Sequence, residues 1–340
     1  MMEKCVPPII IGRGITIIRI LGERAPCPEA MLGKTATIFD GGIAVLLHRL
    51  KGGRNVVASG PLKDMQHQAF KAVRPKPELV RSAYNDFARA GVDVLTTSTV
   101  GLRIDDMREN RDEALEDIVA SARLAREVAL DNSSKRRKVR VAGCIPALPI
   151  VEDDGSDPAV VKEFQRATLD TIDAMMPYVD IWFVKDMESK VQATFLADQV
   201  CSRSVKPIWV SWRIQGWEDD HYLLPSGETL KDAVVHLHSW VPNIKAVMAN
   251  IQGESHENAI SELRKHTILG MDIVMGCYSD VEPEAQRKLG GFEGLEKMSE
   301  KYTEDMKRWW EIGARTIGTG ALMPPEEIAV ITGRRQKKKT

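Results

Sequence analysis

Eight times along this chain a short apolar, β-branched run gives way to a longer amphipathic stretch. That alternation reads as βαβ units around a parallel sheet. The strand candidates are 35–39, 92–97, 139–143, 179–184, 207–211, 244–249, 271–275 and 315–318. Helix patterns lie between them over 77–90, 104–130, 157–176, 190–203, 228–240, 256–268 and 297–313, with a last one from Pro325. Pro77 at a first turn and Gly91 just past the end mark one helix at both termini. The stretches 51–74 and 275–295 read as irregular loops. Eight units in series predict a closed (β/α)8 TIM barrel, an α/β fold, rather than an open doubly wound sheet. No GxGxxG turn follows an early strand to argue for the open form. The expected organisation is an N-terminal arm over 1–33, a single barrel domain over 34–333 and a basic tail over 334–340.

Composition narrows the setting. A formal net charge of -1 supplies no overall field that favours nucleic acid or membrane. The five cysteines, at 5, 27, 144, 201 and 277, have no CxxC spacing, so neither a disulfide framework nor a zinc finger is signalled. Reduced thiols fit a cytoplasmic setting. No apolar run is long enough for a membrane span. The head carries Ile9-Ile10-Ile11 and then Ile15 to Leu21, interrupted by Gly12, Arg13, Gly14 and Arg19, and reads as an arm or extra strand on the barrel. A mitochondrial presequence is the alternative, weakened by Glu3 and Glu23. The tail, Arg334-Arg335-Gln336-Lys337-Lys338-Lys339, reads as a solvated terminus before it reads as an address.

In a barrel, function is read from the residues that end the strands. Here these are Asp40 with Gly41 and Gly42, Thr97 to Thr99, Cys144, Lys185, Ser211 with Trp212, Asn250, Cys277 with Tyr278, and Gly318 with Thr319. A polar or titratable group on almost every strand exceeds what packing needs, and it predicts a small-molecule pocket at that face. The candidate binding residues are Asp40, Gly41, Thr97, Ser98, Lys185, Ser211, Asn250 and Thr319. Lys185 suits a carboxylate or phosphate, so the expected ligand is a small anion; a salt bridge to Asp186 and a Schiff-base role are the alternatives. Trp182 and Trp209 fall at strand positions and read as packing residues.

Several of these segments line up with one family. Asp40-Gly41-Gly42, then Lys76-Pro77-Glu78-Leu79-Val80 and Ala90-Gly91-Val92-Asp93-Val94-Leu95-Thr96-Thr97-Ser98-Thr99, resemble the opening of homocysteine S-methyltransferases. Lys206-Pro207-Ile208-Trp209-Val210-Ser211 with Ser226-Gly227-Glu228 is similar to a central block of that family. Trp309, Gly313 to Gly318 and Pro325-Glu326-Glu327-Ile328 resemble its C-terminal block. The likeness runs in order over about 34–333. It implies a barrel that moves a methyl group onto the sulfur of an amino-acid thiol held on zinc.

The resemblance also implies three cysteine thiolates as zinc ligands, and this chain departs from it there. The positions are Ile251, Gly320 and Ala321, none of which can donate to a metal. Ala44-Val45 and Ser98 replace further family residues. Lys185 stands where the family's glutamate would meet the substrate ammonium, a like-charge contact of roughly 4 kcal/mol at ~4 Å and an effective dielectric of 20. No cofactor is expected, and zinc enters only under the alternative of relocated ligands such as Cys144, Cys277, His221 and His256. Three readings follow: a pocket without the family's zinc step, a thiol or selenol methyltransferase with relocated ligands, and a non-catalytic scaffold or assembly subunit. A homo-oligomer or assembly partner fits the third.

Overall fold

The computed structural model of the chain describes residues 36–47, 62–146, 158–241, 243–250, 258–266, 274–278, 304–319, 323 and 325–333. The expected N-terminal arm and basic tail lie outside these residues. The first five strands are β1 (Thr37–Phe39), β2 (Val94–Thr96), β3 (Arg140–Ile145), β4 (Ile181–Met187) and β5 (Ile208–Arg213). A hairpin of β6 (Gly216–Glu218) and β7 (His221–Leu223) follows, then β8 (Ile244–Asn250), β9 (Val274–Tyr278) and β10 (Thr316–Gly318). All but the hairpin pair in parallel, and the order β1-β10-β9-β8-β5-β4-β3-β2 closes on itself as an eight-stranded barrel. The expected fold class is therefore the observed one.

Besides a helical turn over 44–47, ten helices among the described residues lie between and after the strands. They are α1 (Leu62–Lys71), α2 (Pro77–Ala90), α3 (Ile104–Glu109), α4 (Arg111–Asp131), α5 (Pro158–Met175), α6 (Lys190–Arg203), α7 (Leu230–Trp240), α8 (Ala259–His266), α9 (304–312) and α10 (Pro325–Ile331). Local chemistry sets their ends. Gly91 takes a left-handed φ of 111° and its N–H meets the carbonyls of Phe87 and Ala88, closing α2. The Ser189 hydroxyl accepts the Gln192 N–H at 3.1 Å to open α6, and Thr229 does the same for Asp232 at 3.0 Å in α7. No helix among the described residues is long and apolar enough to cross a membrane.

Three expectations need correction. The single helix over 104–130 is two, because Asn110 leaves helical geometry at φ -153° and caps α4 by accepting from Glu113 N at 3.2 Å. Part of the stretch read as an irregular loop over 51–74 is helix α1, whose Leu62, Met65, Ala69 and Phe70 bury one face. The β6–β7 hairpin was not anticipated; its turn places Asp219 and Asp220 at φ 47° and 63°, a type of turn that ordinarily signals itself with Asn-Gly. Of the seventh barrel strand, expected over 271–275, the described residues show β9 over Val274–Tyr278, and 271–273 lie outside them.

Strand periodicity builds two layers. Ile38, Leu95, Val141, Val184, Val210, Val247 and Ile317 face outward into the helix layer, together with the fully buried Trp182. Phe39, Val94, Ala142, Cys144, Ile181, Phe183, Trp209, Ala246 and Met248 form a separate cluster inside the barrel. Phe39, Phe183 and Trp209 meet there with ring centroids 5.6, 5.9 and 6.0 Å apart. Such pairs add about 0.5–1.5 kcal/mol each to their burial. The aromatic plug fills the barrel, so a ligand has only the mouth above it.

Candidate functional site

The side-chain period of two carries each inward face past the plug to the mouth. Two residues beyond Val94, Ala142, Phe183, Trp209 and Met248 stand Thr96, Cys144, Lys185, Ser211 and Asn250, all buried. Asp40 closes the ring at the end of β1. Its carboxylate accepts from the Thr96 N–H at 2.8 Å, from the Thr96 hydroxyl and from the Gly42 N–H at 3.0 Å. Gly42 adopts φ 91°, the left-handed turn that lets its N–H point back at the carboxylate. β1 and β2 pair through Phe39 and Val94 alone. Asp40 thus extends a short seam. Burial pushes the Asp40 carboxyl from 3.8 up to about 6, against the pull of its donors and of the Lys185 charge.

β4 carries the unexpected feature. Its register against β5 shifts between Val184 and Met187, and Asp186 takes φ 62°. A bulge of this kind re-aims side chains at a barrel rim. Lys185, 6% exposed, keeps its place on the inward face with its Nζ 3.1 Å from Asp186 Oδ2. The Asp186 N–H donates to Ser211 Oγ at 2.9 Å, and Asn250 Nδ2 donates to Asp186 Oδ1 at 2.7 Å. Four strand-end residues from three strands are joined in one network, centred on an aspartate that sequence reasoning named only as a partner of Lys185. A register slip leaves no mark in the residue pattern, so nothing in the sequence signalled this centre.

The other expected residues divide. Gly41, Thr97, Ser98 and Lys185 line one small cleft of 20 Å³, together with Cys144 and with Leu62, Gln66 and Ala69 from α1. That is room for a water or a single small group before anything moves. Ser211, Asn250 and Thr319 do not line it. Thr97 and Thr99 share a hydrogen bond at 2.6 Å and stitch β2 to Cys144 through its N–H (2.9 Å) and carbonyl (2.7 Å). Ser98 is tied through its N–H and hydroxyl to Ser121 of α4. Thr319 donates its N–H to the Phe39 carbonyl at 3.0 Å, and its buried hydroxyl has no partner among the described residues. The contribution of α1 to the cleft was missed because its span was read as loop.

Metal chemistry asks for converging donors. Among the described residues no three His, Cys, Asp or Glu side chains gather into such a set. Burial pushes the Cys144 thiol up to about 12, with Lys185 pulling the other way, so at neutral pH it is a thiol rather than a thiolate. Cys277 lies on β9, four strands around the barrel from β3. His221 sits on the hairpin with Nδ1 3.9 Å from Glu262 Oε1. His256, Ile251, Gly320 and Ala321 lie outside the described residues.

Comparison with known proteins sets this geometry among relatives. The family model for homocysteine S-methyltransferase matches residues 37–334. Three crystal structures of the Escherichia coli homocysteine methyltransferase MmuM superpose on most of the chain. The oxidised form shares 20% identity, covers 91% of this chain and 99% of its own, and has a TM-score of 0.65. The apo form shares 21% identity over 91% and 100%, with a TM-score of 0.63. The metallated form shares 20% identity over 91% and 100%, with a TM-score of 0.65. At such identities the likeness is one of fold. No curated protein matches the chain by sequence.

Proposed function

The chain belongs to the homocysteine S-methyltransferase family, and we propose that its barrel mouth binds a small anionic ligand without the zinc-dependent thiol methylation which the family resemblance implies. The donor chemistry supports the second half. Asn250 and Thr319 are followed by Ile251 and by Gly320-Ala321, side chains without a lone pair to give a metal. Cys144, the described thiol at the mouth, is held protonated by burial. The residues present do not fit the zinc.

The observation that carries the first half is Lys185, the charged side chain lining the cleft. An ammonium in a site of low dielectric favours an anionic partner more strongly than one in water does. Asp186 holds it in place, and is itself fixed by Ser211 of β5 and Asn250 of β8. The small, largely apolar remainder of the lining suits a compact carboxylate. A ligand larger than the cleft would have to move α1, which supplies Leu62, Gln66 and Ala69.

Thermal unfolding of the purified chain with a panel of short carboxylates, inorganic phosphate, amino acids and sulfonium compounds tests this reading. We expect carboxylates to raise the unfolding midpoint, by the equivalent of about 2.7 kcal/mol at a hundredfold excess over Kd. Lys185→Met keeps the volume, removes the charge and leaves Asp186 its bond from Asn250, so it should fold and lose the response. Stabilisation by sulfonium compounds or amino acids alone, unchanged in Lys185→Met, would refute the assignment.

A further inference from the structure

The near-zero net charge conceals a local excess at the opposite end of the barrel. The loop between α4 and β3 contains Lys135-Arg136-Arg137-Lys138. It is a built turn: Ser134 and Arg137 exchange backbone hydrogen bonds at 2.7 and 3.2 Å, and Val139 N–H donates to Ser133 Oγ at 2.9 Å. Arg137 folds inward, donating to the carbonyls of Ala88 and Val92. That anchor leaves Lys135 and Arg136 at the tip and Lys138 beside them, all exposed and none ion-paired with a described residue.

Their surroundings reinforce the pattern. Arg89, Lys245 and Arg315 are exposed on segments at the same end, since every loop that leads into a parallel strand lies there. Leu130 is 63% exposed and its carbonyl accepts the Ser133 N–H at 3.1 Å, so an unburied apolar side chain adjoins the basic turn. Val205, 91% exposed in the loop before β5, shares that end. The exposed Asp131 lies 4.0 Å from Arg81 and offsets only part of the charge. Thr332 donates to the Ala90 carbonyl at 2.6 Å, two residues from the carbonyl that Arg137 holds. Beyond Gly333 the sequence continues as Arg334-Arg335-Gln336-Lys337-Lys338-Lys339, which lie outside the described residues.

We propose that this end of the barrel, centred on Lys135, Arg136, Lys138 and Leu130, docks the protein on an anionic lipid bilayer surface. Rigidly presented cations without a carboxylate partner among the described residues, next to exposed Leu130, match a headgroup layer with acyl chains beneath it. A nucleic acid would use the cations but leave the apolar side chains without a role. Docking through the strand N-termini keeps the mouth, and Lys185, facing solution. The inference does not depend on what the mouth binds.

Co-sedimentation of the full chain with vesicles of phosphatidylcholine and phosphatidylserine at 3:1, at low salt, tests it. The chain should pellet with these vesicles and stay in solution with pure phosphatidylcholine. The triple variant Lys135→Glu, Arg136→Glu, Lys138→Glu touches no core contact; it should keep the unfolding midpoint and lose partition by more than about a hundredfold, the loss expected for removing three basic groups near the surface before the added repulsion. Leu130→Ser should weaken it further at constant charge. Equal pelleting of the triple variant overturns the proposal. So does loss of pelleting only when Arg334, Arg335, Lys337, Lys338 and Lys339 are neutralised. Binding to polyuridylate that anionic vesicles fail to displace would assign the surface to nucleic acid instead.

Discussion

Replacing Gly101 by alanine is expected to destabilise the chain by an amount at or above the upper end of the roughly 1–3 kcal/mol typical of overpacking. Gly101 ends the short 3-10 turn Ser98–Gly101 and packs directly on α1. A Cβ there would lie 2.1 Å from the Gln66 carbonyl oxygen, 2.4 Å from its carbon and 2.8 Å from the His67 nitrogen. All three are backbone atoms of a helix, so no side chain can swing away. The helix is also pinned from its other end: Lys71 Nζ lies 2.7 Å from the buried Asp117, which Arg74 also bonds. His67 Nδ1 meets the Gly101 carbonyl at 3.0 Å, a contact that displacement of α1 would break. Because α1 supplies Leu62, Gln66 and Ala69 to the cleft, the variant should lose the carboxylate response together with stability. Urea unfolding reads the first effect and ligand-dependent melting the second. A Gly101→Ala protein as stable as the parent would show that α1 does not sit where the turn requires it.

Asp40→Asn should change how stability depends on pH. Asp40 in the folded chain titrates near 6 against 3.8 for the ordinary group. An acid whose folded value is raised contributes its full share below the ordinary value and loses it as pH rises through the folded value. In the window between them the unfolded chain has already released the proton that the folded chain keeps, so rising pH favours unfolding. At 1.36 kcal/mol per decade, the stability of the parent relative to Asp40→Asn should fall by about 2 kcal/mol between roughly pH 4.5 and 7. The variant carries an independent, pH-insensitive loss, because one amide oxygen cannot replace both carboxylate oxygens toward Thr96 and Gly42. Urea midpoints across this range separate the two effects. A constant difference between parent and variant would mean that Asp40 is not buried as described.

Much of the barrel was legible because strand and helix ends are written in local chemistry. Pro77 and Gly91 bracket α2, Ser189 and Thr229 cap α6 and α7, and β-branched runs mark the strand centres. What escaped was set by tertiary context. Leu62, Met65, Ala69 and Phe70 have helical spacing, but they follow a Gly-rich stretch around Gly52, Gly53 and Gly60 that reads as loop. Asn110 falls inside the span read as one helix, yet as a cap it ends one and opens another. Counting to the strand ends named Asp40, Lys185, Ser211 and Asn250, which the fold buries at the barrel mouth. It could not find the bulge that seats Asp186 among them. Nor could it tell that Thr97 and Thr99 stitch strands together.

The central claim is that this barrel mouth offers the Lys185 ammonium to an anion, and that Ile251, Gly320 and Ala321 leave no thiolates to clamp the metal that thiol methylation needs. Measuring zinc in the purified chain by elemental analysis, alongside homocysteine turnover with a sulfonium methyl donor, tests it most directly. The account predicts zinc well below one per chain and no methylated product. One zinc per chain with turnover of homocysteine would contradict it.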